Sequence, residues 1–214
     1  DKIMLDVYEA MSTLRAVRRL KPDPVPRDVL GRVLQAAAWA PTGGNVQPFR
    51  IVAVEAAPAK AAIGALYKEE WAKYTAAMRG AEKGTAPEKL LRAGDYLANH
   101  MAETPAILIF CFNADRMAIT DANLDRPSVV GGGSVYTAVQ NVMLACRTEG
   151  LGCVLTTLLC FREKEIKTQL DIPDPWGTCA HIPIGYPVLK GHGPITRRPI
   201  NKLVYSDRWG TAYE

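Results

Sequence analysis

Ala40–Phe49, APTGGNVQPF, sets Thr42, Asn45 and Gln47 among two glycines and two prolines. Gly43 and Gly44 accept backbone angles that other residues avoid and let a ligand approach the main chain closely. A loop of neutral donors and acceptors suits a flat heterocycle; read alone, it also serves as a helix-to-strand connector. Upstream lie Arg15, Arg18 and Arg19. Guanidinium forks three residues apart match phosphate oxygens, although a solvated basic face has the same composition. Thr196–Pro199, TRRP, offers Arg197 and Arg198 as a second phosphate clamp. Thr156 and Thr157 interrupt an apolar run, either for strand propensity alone or as contacts to a ligand at a strand edge. His100, His181 and His192 are isolated, so no metal site is expected. No Ser–His–Asp, HExxH or paired-carboxylate pattern supplies a catalytic side chain. A bound cofactor is therefore expected to carry the reactivity.

The elements that position these groups follow from periodicity and breakers. Leu5, Tyr8, Met11 and Leu14 repeat at helical spacing, and the prolines of Lys21–Val25 end that reading. Pro26 opens a second helix, striped by Val29, Leu30, Val33, Leu34 and Ala37, which Pro41 closes. Phe49–Val54 reads as a strand and Pro58–Ala77 as an alanine-rich helix carrying Tyr67, Trp71 and Tyr74. Arg79–Thr85 reads as a mobile connection, Glu88–Glu103 as a helix, and Ala106–Phe112 as a strand covered on both faces. A polar loop over Asn113–Ser128 precedes a nearly all-apolar helix over Val135–Thr148, buried in a core or a subunit interface. Leu151–Leu159 reads as a strand, Arg162–Leu170 as a helix and Ala180–Tyr186 as the last strand. The order is ααβααβαβαβ followed by a polar, proline-broken arm over about 190–214, whose Ile200, Leu203, Tyr205 and Trp209 invite a covering surface. No glycine-rich phosphate loop follows a strand, which disfavours a Rossmann domain.

The bulk numbers agree with one folded unit over 1–214. The 214 residues are 48% hydrophobic and 22% charged, and no polar linker divides them. No apolar run approaches the ~20 residues needed to span a bilayer, and the start lacks a signal-peptide pattern. Five cysteines without a CxxC pair read as reduced thiols of a cytoplasmic protein. A net charge of +4 and 7% aromatics argue against a nucleic-acid face.

Taken together, LRAVRRLKPDPVP, APTGGNVQPFRIVAV, AVQNVMLACRTEGLG at Ala138–Gly152, and the closing GYP and RRP resemble the FMN-dependent nitroreductase family in order and spacing over nearly the whole chain. The resemblance implies an α+β fold, with a central mixed or antiparallel sheet flanked by helices and a C-terminal arm that embraces the partner subunit of a homodimer. It also implies one FMN in each of two interface sites. Arg15, Ala16, Val17 and Arg18, with Arg197 and Arg198, fall where such proteins hold the phosphate, and Arg18 also falls near the flavin pyrimidine edge. Pro41, Thr42, Gly43, Asn45 and Gln47 fall where the loop reaches the FMN, largely from the partner. Leu155, Thr156 and Thr157 fall beside the central ring. Trp71 falls in a segment where the family varies its substrate contacts. Leu14 and Ala16 replace an arginine and a serine usual in the phosphate motif, so the clamp is expected to have fewer donors.

The function implied is a ping-pong oxidoreductase that takes hydride from NAD(P)H and reduces an electron-poor acceptor such as a nitroaromatic or quinone. Two alternatives share the cofactor: a same-fold flavoenzyme of other chemistry (dehydrogenation, dehalogenation, flavin breakdown) and a protein that stores FMN without turnover.

Overall fold

A computed structural model describes residues 5–213; residues 1–4 and 214, the ends of the unit expected over 1–214, lie outside the described residues. Six α-helices and four strands follow one another in the expected order. They are α1 (Val7–Thr13), α2 (Arg27–Ala38), β1 (Phe49–Val54), α3 (Ala57–Thr75), α4 (Ala86–His100), β2 (Ala106–Phe112), α5 (Gly133–Thr148), β3 (Gly152–Cys153), α6 (Glu163–Gln169) and β4 (Gly177–Gly185). Local chemistry sets several ends. Asp6 and Thr85 cap α1 and α4 by accepting from the N–H groups of Glu9 and Glu88. α3 and α4 each carry a proline in the first turn, where its missing N–H has no helical partner to lose.

The four strands form one sheet in the order β1-β2-β4-β3, antiparallel throughout. β2 is central, and its first six residues are buried. Both faces are covered, as the unbroken apolar run AILIFCF requires. Leu108 and Phe110 face one core with α2 and α5, through Val33, Ala37, Val139 and Val142. Ile107 and Ile109 face the other with α3, α4 and α6, through Ile63, Tyr67, Trp71, Leu97 and Ile166.

One element differs from its sequence reading. The strand expected over Leu151–Leu159 pairs only at Gly152–Cys153. Thr156 then makes an isolated bridge to His181, and Leu158–Arg162 coils into a 3₁₀ turn. Val154 and Leu159 are apolar because they pack into the core, not because they sit in a ladder; an apolar run records burial and not backbone pairing.

Two features of the ends bear on the site. Residues 191–195 lie on the chain's own body: Gly193 N–H donates to Thr13 O at 3.0 Å, Ile195 N–H to Ser12 O at 3.3 Å, and His192 is buried. The exposed arm thus starts later than 190, near Thr196, and presents Ile200, Leu203, Tyr205 and Trp209 to solvent. Among the described residues no helix is long and apolar enough to cross a membrane.

Packing between α3 and α4 sets the first test. A methyl group at Gly94 would overlap the Trp71 indole. Although alanine favours a helix by ~1 kcal/mol over glycine, Gly94→Ala is expected to destabilise the protein by a net ~1–3 kcal/mol through overpacking. Urea unfolding of the variant checks this, and a gain in stability would contradict the packing described.

Candidate functional site

Arg15–Arg18 is extended and lies beside β3. Ala16 bridges Cys153, and Val17 N–H donates to Cys153 O at 2.8 Å. That approach is close because residue 152 is glycine: a Cβ there would stand 2.7 Å from Val17 Cγ1 and 2.8 Å from Leu20 Cδ2. Val17 and Leu20 enter the body, three residues apart, while Arg15 stays exposed. The same alignment sets Arg18 next to the continuation of β3 at Leu155–Thr157.

Arg18 is half-buried, and burial lowers its pKa. Among the described residues it has no carboxylate partner; the group that faces it is the phenol of Tyr67. Tyr67 is buried, and that burial raises its pKa. Thr156 is fixed in turn by paired main-chain bonds with His181, each 3.0 Å. Thr157 and Leu155 flank it, the former exposed and the latter half-buried.

Arg15 reaches the other way. Its Nε donates to Pro194 O at 3.0 Å and a second guanidinium N–H reaches the same carbonyl. Its main-chain N–H donates to His192 Nδ1 at 3.3 Å, while His192 Nε2 donates to Leu151 O at 2.8 Å. This fixes the His192 tautomer with its proton on Nε2. Arg15 is thereby held at the root of the arm that carries Arg197 and Arg198, both exposed. Arg197 donates to the neighbouring Thr196 O at 2.8 Å.

The neutral loop sits apart from these groups. Gln47 N–H donates to Thr42 Oγ1 at 3.1 Å, and Gln47 Nε2 to Asn45 Oδ1 at 3.2 Å. Gly44, Asn45 and Gln47 have φ of 57°, 54° and 50°, and two non-glycine residues in that region mark stored strain. The loop packs on the first turn of α5, where Gly43 N–H donates to Ser134 Oγ at 3.0 Å and Thr137 Oγ1 to Pro41 O at 3.2 Å. Pro41, Thr42 and Gly43 then line a cavity of about 470 Å³ with Arg116–Ala118 and Val130–Gly131. Among the described residues no hydrogen bond joins this loop to the arginine group.

Trp71 was expected among the substrate contacts. It is buried in the second core, and its indole N–H donates to Asp95 Oδ1 at 2.7 Å. It serves as a wall of that core, stacked on Tyr67 one helical turn earlier on α3. The helical spacing of Tyr67, Trp71 and Tyr74 was visible in the sequence; that the first two are buried and Tyr74 is exposed depends on how α3 crosses the sheet. His181 and His192, isolated in the sequence, also prove to be structural partners of the site.

The donor set fits FMN. Arg18 is a partly desolvated cation without a counter-charge, which an anion or electron-rich ring edge would satisfy. The predicted site residues include no carboxylate to repel a phosphate. Thr42 keeps its hydroxyl proton while accepting from Gln47, which suits a neutral heterocycle. Among the described residues no group of three or more His, Cys, Asp or Glu could hold a metal ion.

Comparison with known proteins agrees. A sequence model of the Nitroreductase family matches residues 12–186. A Thermus thermophilus protein named NADH dehydrogenase is 27% identical over 207 residues, covering 94% of this chain and 96% of its own. A 5,6-dimethylbenzimidazole synthase from Rhodobacter capsulatus is 26% identical, covering 89% and 87%. Among solved structures, the NADPH:FMN oxidoreductase from Vibrio harveyi complexed with NAD+ superposes with a TM-score of 0.69 at 16% identity, over 96% of this chain and 79% of that one. That likeness speaks to the fold.

The buried imidazole yields a pH test. His181 is fully buried, its Nε2 has no partner, and desolvation lowers its pKa to about 4. Its folded pKa lies below its unfolded value, so on acidification the unfolded chain takes the proton first. Stability should fall as pH drops from about 6.5 and level off below about 4, a loss on the order of 3 kcal/mol from this residue. Urea unfolding against pH should show a shallower slope in His181→Gln; parallel slopes would sink the assignment.

Proposed function

The chain belongs to the nitroreductase family, and from that premise we propose that it is an FMN-dependent oxidoreductase that oxidises NAD(P)H and reduces an electron-poor acceptor such as a nitroaromatic or quinone. The observation that carries this reading is Arg18, half-buried with no anionic partner among the described residues. FMN, when bound, supplies the hydride acceptor and electron donor that the side chains lack, serving NAD(P)H and then the second substrate in one site by ping-pong.

The chain's own groups bind and orient. Arg15, supported by Pro194 O, and Arg197 and Arg198 on the exposed arm present forked donors for the phosphate. Ala16 and Val17 seat that segment on β3 through the contacts at Cys153. Arg18 sets positive charge beside the ring, where negative charge grows on reduction. Leu155, Thr156 and Thr157 form the surface the ring passes. No side chain is assigned a proton-transfer role.

The separation of the neutral loop from the arginine group supports a homodimer. Pro41, Thr42, Gly43, Asn45 and Gln47 would complete the partner's arginine group, and the uncovered apolar residues of the arm would lie on the partner. A cytoplasmic location accords with five free cysteines. The dimethylbenzimidazole synthase likeness keeps same-fold chemistry of another kind as the second reading; anaerobic mixing with NADH and NADPH separates the two, because an ordinary nitroreductase bleaches with at least one of them.

Purified protein is expected to be yellow or to turn yellow with added FMN. Arg18→Ala should weaken FMN binding by ~1–3 kcal/mol, the scale of a lost charge-assisted hydrogen bond, read from flavin fluorescence. Wild-type protein that takes up no FMN would overturn the proposal.

A further inference from the structure

The segment between β2 and α5 carries a polar knot. Asp121, 3% exposed, accepts from Arg126 Nη1 at 2.8 Å and from Ser128 Oγ at 2.7 Å. It also accepts the N–H groups of Val129 and Val130, at 2.8 and 3.3 Å. One buried carboxylate with these donors fixes a stretch that has no strand ladder to hold it. The start of the segment is held separately. Asn113 N–H donates to Pro48 O at 2.9 Å, and Asn113 Oδ1 accepts Asp115 N–H at 3.0 Å, which opens the turn Ala114–Arg116. The two ends lie together: a Cβ at Gly131 would stand 3.5 Å from Ile119 Cδ1. These bonds set two walls of the cavity of about 470 Å³, Arg116–Ala118 and Val130–Gly131, beside Thr42 and Gly43. Arg116 alone carries charge among the residues that line it. Among the described residues its exposed guanidinium makes no hydrogen bond and no ion pair, and Asp121 is committed to Arg126.

We propose that Arg116 sets acceptor specificity: the cavity takes an electron-poor ring that bears a carboxylate or sulfonate, and that anionic group pairs with the Arg116 guanidinium. The planar fork of arginine matches a carboxylate with two parallel N–H donors. An exposed cation without a partner loses little hydration before the ligand arrives and gives up no internal bond. Pro41, Pro48, Met117 and Val130 offer apolar surface to the ring, and the volume falls within the ~300–1,000 Å³ usual for small-molecule sites. The Asp121 knot holds the Val130–Gly131 wall in place before binding, so the ligand does not have to order it. Thr42 and Gly43 are predicted flavin contacts, which puts a ring in this cavity beside the partner's cofactor. This inference rests on the FMN and homodimer reading above.

The test compares wild type with Arg116→Gln, both loaded with FMN and reduced anaerobically with dithionite. Each is mixed with nitrobenzene or 4-nitrobenzoate, and with 1,4-naphthoquinone or its 2-sulfonate, while flavin reoxidation is followed by absorbance. Taking the anionic-to-neutral ratio of rate constants in each protein cancels the intrinsic reactivity of the acceptors. That ratio is expected to fall roughly 3- to 10-fold in Arg116→Gln, the scale of an ion pair open to solvent on one side. In wild type it should shrink with added salt, because the pair is screened. Arg116→Lys should restore part of the ratio. An unchanged ratio, or equal losses for neutral and anionic acceptors, overturns the inference. So does a variant whose defect lies in reduction by NADH or NADPH, because that gives Arg116 to the phosphates of the donor. A wild-type protein that takes up no FMN, or whose reduced flavin none of these acceptors reoxidises, overturns the functional reading itself.

Discussion

The contact between Val17 and Gly152 is the constraint from which the rest of the site follows. A backbone segment rich in arginine would normally stay in solvent, yet here it is drawn against β3 because position 152 has no side chain. The bond from Val17 N–H to Cys153 O then fixes its register. With register fixed, Val17 and Leu20 enter the apolar interior, Arg18 follows the same segment half-buried, and Arg15 turns to Pro194. The bridge at Leu20 to Pro187 and the bond from Lys21 N–H to Tyr186 O continue the seam onto the segment after β4. A cation-rich segment is thus placed by apolar packing and main-chain bonding, and its charge is left for a ligand.

The sheet shapes what stands behind the site. β2 is covered by helices on both sides, and the two cores differ in lining: α2 and α5 meet one face through aliphatic residues, with Tyr136 of α5 bonded to Cys179 O, whereas α3 brings Tyr67 and Trp71 to the other. His181 belongs to this second side, buried and neutral beneath Thr156. The neutral loop packs on the α5 side, and the arginine segment lies along β3.

Much of this was legible in the sequence. Proline bounded α2 and a short β-branched run marked β1, AILIFCF announced a doubly covered strand, and the stripe of Val135, Ala138, Val139, Val142 and Cys146 predicted the buried face of α5. The arginine segment and the Thr156–Thr157 pair were recognisable from type and order. What could not be read were facts of tertiary alignment. Leu151–Leu159 shows the same apolar signal whether it pairs or merely packs, and Trp71 and Tyr67 differ only in which end of a helix meets the sheet. The isolation of His181 and His192 in the sequence concealed partners 25 and 177 residues away.

Arg15 and Pro194 are separated by 179 positions. Until residue 194 has been synthesised and has folded back, Arg15 lacks the carbonyl that steadies it and His192 cannot link it to Leu151. The last strand ends at Gly185, so the sheet is complete nine residues before the carbonyl that steadies Arg15, and the opening segment waits on nearly the whole chain for its final contact.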